Sequence, residues 1–314
     1  MRNALCLALG QLDLNGLQPN KFTPTSNALK GLVNLTERRK YELKNPLSPF
    51  LKLRKLLVHL NNDASSQDIH SLRTHARRVE MVIAALRLGH KNRFRKLLKT
   101  VKPLRKVAGA ARDMDVLTST VFALSQNHSD DSLVRLATHL GQLRKKSAGE
   151  LLDLVAAKHK NARRILKRYS QLLRKRFQKE QANAIFTSAA VTLAAKLSRW
   201  PEFSENNIHA FRIKVKELRY MLQLSPNTDG TYLDTLRHIK DKIGDWHDWH
   251  KLAEIAADTL DPEMDRKLLM RIEKTGNRKL LLALSAANSM RQQSGSSVSI
   301  HRVIRRGGPE AIRA

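Results

Sequence analysis

The sequence predicts an all-α fold with an internal duplication, and three observations carry that expectation. Apolar residues recur with the 3.6-residue period of a helix along most of the chain, whereas the alternating runs of a strand are hard to find. Thirteen glycines and nine prolines in 314 residues leave room for long helices. Most of the prolines gather early (Pro19, Pro24, Pro46, Pro49) or at element ends (Pro103, Pro201, Pro226, Pro262). Finally, one pattern is written twice: His70-x-x-Arg73-x-x-x-Arg77 in IHSLRTHARRVEMV returns as His209-x-x-Arg212-x-x-x-Lys216 in IHAFRIKVKELRYM.

Residues 1–62 form a poorly specified N-terminal segment, with a short helix expected around Phe50–Leu60. The first helical repeat is expected over 63–182. Its opening helix starts near Ser66–Asp68, whose short polar side chains can accept from the free amides of a first turn. It runs to Leu88, with Gly89 as its stop. A second helix reaches about Val107, bent or begun afresh at Pro103, and a third covers Asp113–Ser125. A long helical region then extends from Asp130 to Gln181. The second repeat, 183–290, follows the same plan, with helices at Asn183–Leu197, Asn207–Leu224, Thr231–Ile243, Asp248–Thr259 and Pro262–Asn288. Residues 291–314 mix Ser, Gly and Arg and read as a disordered basic tail.

The repeat extends beyond its opening motif. Lys102, Arg105, Gly109, Arg112 and Asp113 stand at relative positions −7, −4, 0, +3 and +4. Arg237, Lys240, Gly244, His247 and Asp248 fill the same five positions in the second half. Four of the five keep their chemical character, and Arg112/His247 is a near match.

Composition narrows the class of partner. The chain carries 58 Lys+Arg against 28 Asp+Glu, a formal charge of +30. That excess costs stability through self-repulsion, and a polyanion would relieve it. Nucleic acid, anionic membrane and polyphosphate all qualify on charge alone. A single cysteine, Cys6, excludes an intramolecular disulfide and fits a reducing compartment. The apolar run at the N-terminus is short for a signal peptide, and no stretch is long enough for a membrane span. The expected setting is cytoplasmic.

Residues at spacings 0, 3 and 7 project from one helix face, because each step turns about 100°. His70, Arg73, Arg77 and Glu80 share one arc, and Ile69, Leu72, Ala76, Val79 and Ile83 the adjoining core arc. In the second copy His209, Arg212, Lys216 and Arg219 form the stripe, beside Ile208, Phe211, Val215, Leu218 and Leu222. Cations that flank a buried face suit the wall of a groove between helices. Phosphate fits such a wall: arginine presents a planar fork to two oxygens, lysine adds a mobile point charge, and histidine gains charge beside an anion.

Together HSLRTHARRVEMV with ARDMDVL, and HAFRIKVKELRYMLQL with IGDWHDW, resemble the CHAD domains, a family named for histidines on α-helices. The resemblance covers roughly residues 66–290. It implies two pseudo-symmetric helical bundles around a central basic groove that binds inorganic polyphosphate, with association to polyphosphate granules and their proteins. Carried over position by position, the polyphosphate-binding residues are His70, Arg73, Arg77, Arg78, Lys102, Arg105 and Arg112 in the first half. In the second they are His209, Arg212, Lys216, Arg219, Arg237 and Lys240. Two features depart from the family pattern. Glu80 stands where a basic residue is common, which implies a weaker first half-site, and Trp246 and Trp249 replace smaller or aliphatic residues. The triphosphate-hydrolysing domain that often precedes this family carries an alternating ExExK signature, which is not found here.

Other readings compete with this one. Nucleic acid binding is the alternative on the same basic surface, but aromatic residues are 5% of the chain and do not interleave with the cations as stacking platforms. An enzyme acting on phosphate chains would need a carboxylate cluster for metal or a Gly-rich loop before a helix; no catalytic residue, metal site or cofactor is expected. DWHDWH at 245–250 offers paired Asp and His on adjacent turns, yet the matching ARDMDV has no His pair. Asp113 and Asp248 read as structural, orienting a basic neighbour or opening a helix. The run RRILKRYSQLLRKRFQK, 163–179, reads as a solvated basic face that could extend the groove or touch an acidic surface.

Overall fold

The computed structural model describes residues 45–60, 64–89, 91–125, 131–176, 179–225 and 228–294. These residues are all-helical, with eight helices among them and no strand. The helices are α1 Ser48–His59, α2 Ser66–Ala85, α3 Asn92–Ser125, α4 Asp131–Arg176, α5 Lys179–Ser198, α6 Glu205–Leu222, α7 Gly230–Thr259 and α8 Arg266–Ser294. The readings made for residues 1–44 and 295–314 fall outside the described residues.

Short polar side chains set the helix starts. Ser65, one residue ahead of the predicted cap, receives Asp68 N at 3.1 Å and donates its hydroxyl to the Asp68 carboxylate at 2.6 Å. α6 follows Ser204, whose amide donates to Asn207 Oδ1 at 3.1 Å. α7 follows Asp229, which accepts from Thr231 N at 2.9 Å. Pro49 lies in the first turn of α1, where its missing amide hydrogen breaks no helical bond.

Several boundaries differ from the sequence reading. α2 ends at Ala85 instead of Leu88, and Arg87 (φ 50°), not Gly89, takes the left-handed conformation. Arg87 N donates to Ala84 O at 2.9 Å and Leu88 N to Ile83 O at 3.0 Å, the paired bonds that close a helix. Leu88 and Ile83 are both buried, so an apolar contact fixes this turn ahead of the glycine. α3 is one helix where two were expected. Pro103 removes one amide bond, but Val101, Leu104, Ala108 and Ala111 form an unbroken buried face across it. α7 is continuous through DWHDWH for the same reason, with Ile243, Gly244 and Trp246 buried mid-helix. Of the region 130–181, Asp131–Arg176 is α4 and Gln181 lies in α5, while residues 130, 177 and 178 are outside the described residues. α8 begins at Arg266, four residues after Pro262, because Asp261 Oδ1 accepts from Glu263 N and Met264 N and holds a turn there. Its last residues reach into the predicted tail.

α1 packs on α2 and α4, α2 on α3, and α3 on α4. In the same way α5 packs on α6 and α8, α6 on α7, and α7 on α8. Between these sets, α2 meets α5 and α6, while α7 meets α3 and α4. The main core draws buried residues from every helix, including Phe50, Leu72, Leu104, Leu166, Phe186, Phe211, Ile243 and Ala283. A second cluster joins Leu117, Val121 and Leu136 of α3 and α4 to Leu252, Ala256 and Ile272 of α7 and α8. Burying each such aliphatic side chain contributes about 1.5–3 kcal/mol, which locks the relative rotation of the helices.

Candidate functional site

The apolar faces of α2 and α6 fix where their cations go. Ile69, Leu72, Ala76, Val79 and Ile83, with Ile208, Phe211, Val215, Leu218 and Leu222, are all at most 3% exposed. Burial of those ten residues turns the adjoining arcs of the two helices toward each other. Arg73, Arg77, Arg78, His209, Arg212, Lys216 and Arg219 are half-buried there, and His70 is exposed at the entry of α2.

The two rows act on one another. Lys216 of α6 feels the charges of Arg73 and Arg77 of α2 as well as Arg212 and Lys240. His70 of α2 feels Lys216, and His209 of α6 feels Arg77. The Arg78 guanidinium lies over the Tyr220 ring, 5.6 Å from its centroid, and repels Arg219. Cations from sequence positions about 140 residues apart therefore share one electrostatic environment.

α3 and α7 complete the cluster. On α3, Arg105 Nε donates to Glu80 Oε1 at 2.8 Å, and Arg105 also repels Arg77. Arg112 acts on His70 and donates to Ser66 Oγ at 3.3 Å. On α7, Lys240 acts on Lys216 and pairs with Asp241, while Arg237 repels Arg219 and pairs with Asp234 at 2.8 Å. The His247 ring lies tilted against His209, with centroids 4.0 Å apart. Lys102 is exposed on α3.

Two mid-helix glycines make room for arginines. A Cβ on Gly109 would stand 3.4 Å from Arg73 Nε, and one on Gly244 only 2.7 Å from Arg212 Nη2. Arg212 Nε donates to the Lys240 carbonyl at 3.2 Å, so this side chain lies along the α7 backbone. Asp113 holds the other arginine: its Oδ1 is 3.4 Å from Arg73 Nη2, and its Oδ2 accepts from Lys251 Nζ at 3.0 Å. One carboxylate thereby ties α2, α3 and α7 together.

Burial and mutual repulsion shape the titration of these groups. Burial, then Arg212, Arg73, Arg77 and Lys240, bring Lys216 down to about 7. Burial, followed by His209 and Arg212, brings His247 down to about 4. His70 and His209 are lowered too, first by burial and then by neighbouring cations. Burial raises Asp248 against the pull of Arg212. His209 Nδ1 and Arg219 Nε are buried without a hydrogen-bond partner among the described residues. Such a cluster is a concentrated positive field whose members lower one another's proton affinity, and a multivalent anion relieves it.

Sequence reasoning did not single out Lys251, whose partner Asp113 lies across the helix contact, nor His247 as a neighbour of His209. The glycines stand out in the sequence as repeat positions only; a glycine inside an unbroken helix is the signal that something approaches closely. Trp246 is buried in the main core, and Trp249 packs on the second cluster. His250 of DWHDWH turns to Glu205 at 3.2 Å and Glu254 at 3.5 Å, away from His247. No group of three or more His, Cys, Asp or Glu positioned for a metal occurs among the described residues. Nor is any described helix long and apolar enough to cross a membrane.

Comparison with curated proteins and with solved structures finds no match. The family model for the CHAD domain matches residues 51–257, a span that holds α2 and α6 with their histidine-headed cationic rows and most of α7. The chain belongs to the CHAD domain family.

Proposed function

We propose that this protein binds inorganic polyphosphate, without catalysing a reaction, in a basic groove between two pseudo-symmetric helical bundles. The observation that carries the proposal is the convergence of the α2 and α6 rows, in which Lys216 is repelled by Arg73 and Arg77. Family membership is consistent with a polyphosphate-related role. The pairing of contacts supports an internal duplication: Arg73 with Gly109 answers Arg212 with Gly244, Arg77 with Arg105 answers Lys216 with Lys240, and His70 with Arg112 answers His209 with His247.

Arginine forks would take pairs of phosphate oxygens while Lys216 and the histidines add charge. Rigid helices hold the donors in place, so ordering costs little, and binding reads charge spacing in preference to bases. A cytoplasmic setting at polyphosphate granules follows as part of the same reading.

The test is a titration of long-chain polyphosphate against wild type and the variant with Arg73, Arg77, Arg212 and Lys216 all changed to Ala. Four lost charge-assisted contacts should weaken binding by roughly 100-fold or more and flatten the salt dependence. Equal affinity of the two proteins rejects the groove. Displacement of polyphosphate by tRNA or duplex DNA at equal charge turns the reading to nucleic acid.

A further inference from the structure

α4 carries a second cationic surface of a different kind. Between Asp153 and Arg176 the helix contains no acidic residue. Leu151, Val155, Ala162, Leu166, Tyr169 and Leu173 are buried in the main core. Lys160, Arg163, Arg164, Lys167, Arg168 and Lys175 are all exposed. At 100° per residue these six occupy an arc of about 140° directly opposite the buried face.

A solvated basic face normally carries interspersed acids, which form ion pairs one turn away. Here three pairs one turn apart are cation with cation, Lys160 with Arg164, Arg163 with Lys167 and Arg164 with Arg168, and none of the six has an acid one turn away. None of the six is in an ion pair among the described residues; Arg164 reaches only Asn161 Oδ1, at 3.2 Å. The face thus destabilises its own helix unless an external anion sits on it. It extends for about 22 Å along the helix axis from Lys160 to Lys175.

Its chemistry selects among anions. Tyr169, the one aromatic residue in the stretch, is buried, so no ring is offered to a base. α4 packs on α1, α3 and α7, so it is not a free-standing rod that could enter a duplex groove. A flexible chain of phosphates can follow such a band of cations. We propose that the solvent face of α4 is a second binding surface for a flexible phosphate polymer, separate from the α2/α6 cluster. One molecule would then hold two chains, or two chains could be bridged by it. The inference shares its ligand class with the function proposed above but none of its residues.

The test is calorimetry of the full chain with a short polyphosphate, shorter than α4, for three proteins. These are wild type, an α4 variant with Lys160, Arg164, Lys167 and Arg168 changed to Gln, and the quadruple alanine variant of the α2/α6 cluster. Wild type should bind two chains and each variant one, and the summed salt slope should fall by about three in the α4 variant. The free α4 variant should melt higher than wild type, because its like-charge contacts are gone. A variant that instead melts lower is replaced by the pair Lys160→Gln and Arg164→Gln, for which the same loss of one chain is expected. Unchanged stoichiometry and salt slope in the α4 variant overturn the proposal. So does loss of duplex DNA binding with polyphosphate binding intact. If the α2/α6 reading is the one that fails, the alanine variant binds as wild type while the α4 variant does not.

Discussion

A Cβ atom on Gly244 would stand 2.7 Å from Arg212 Nη2, so the arginine fills space that any other residue at 244 would claim. Glycine in a helix interior costs about 0.5–1 kcal/mol relative to alanine, and here that cost accompanies a guanidinium laid against the α7 backbone. Gly244→Ala should therefore leave the melting temperature unchanged or higher while lowering polyphosphate affinity about 3- to 10-fold, as Arg212 is pushed off its bond to the Lys240 carbonyl. Gly109→Ala is the control. Its Cβ would meet Arg73 Nε at 3.4 Å, close to ordinary contact, so affinity should stay within about twofold and stability should rise. Equal affinity losses in both variants would contradict the steric account.

Lys216 should make the proposed polyphosphate binding depend on pH. Its folded pKa of about 7 lies below the ordinary 10.5, first through burial and then through Arg212, Arg73, Arg77 and Lys240. In the free protein the cost of keeping this ammonium charged is full below pH 7 and fades as pH rises toward 10.5, so stability from this group rises with pH over that window. A bound phosphate chain reverses the balance, because an anion favours the charged form. Affinity should fall as pH is raised from 7 to 9, and calorimetry in buffers of different ionisation heat should show proton uptake on binding. Lys216→Arg, charged throughout, should flatten both effects. His247, brought down to about 4 by burial, His209 and Arg212, adds a separate loss of stability in the free protein on acidification from pH 6.5 to 4.

Glu80 places a negative charge among the cations of α2 and α3. It accepts Arg105 Nε at 2.8 Å and also attracts Arg77. Glu80→Gln keeps an acceptor for Arg105 but removes the competing carboxylate. Polyphosphate affinity should rise about 2- to 5-fold, with a steeper salt dependence. A fall in affinity would mean that Glu80 is needed to aim Arg105.

The parts legible in the sequence were those with a period. The buried faces of α2 and α6 followed from apolar spacing alone, and every residue assigned to them is in the core. Helix ends and joins were harder to read, because tertiary packing decides them: Leu88 and Ile83 stop α2 before Gly89, and a continuous buried face carries α3 through Pro103. The rows of cations were visible as repeats, but their neighbours were not. Lys251 reaches Asp113 from 138 residues away, and no spacing rule links two positions whose proximity depends on how α3 meets α7. Glycine misleads in two opposite senses, as an expected stop at Gly89 and as a mere repeat marker at Gly244.

That long-range pair gives the sharpest test of how the halves are held. Asp113 faces Arg73 at 3.4 Å and Lys251 at 3.0 Å, and its charge also favours Arg212 and His209. Asp113→Asn keeps the shape but leaves these cations without their common counter-charge. Free-protein stability should drop by roughly 1–2 kcal/mol, read as a lower urea midpoint with an unchanged slope. Lys251→Met alone should cost less, since the partly exposed ammonium can be replaced by apolar packing. The double variant should cost less than the sum, because the two residues are partners. At saturating polyphosphate the Asp113→Asn deficit should shrink, as phosphate supplies the negative charge that the carboxylate gave. If the deficit is the same with and without polymer, Asp113 does not share the field of the bound chain, and the cluster on α2, α6 and α7 is not where that chain lies.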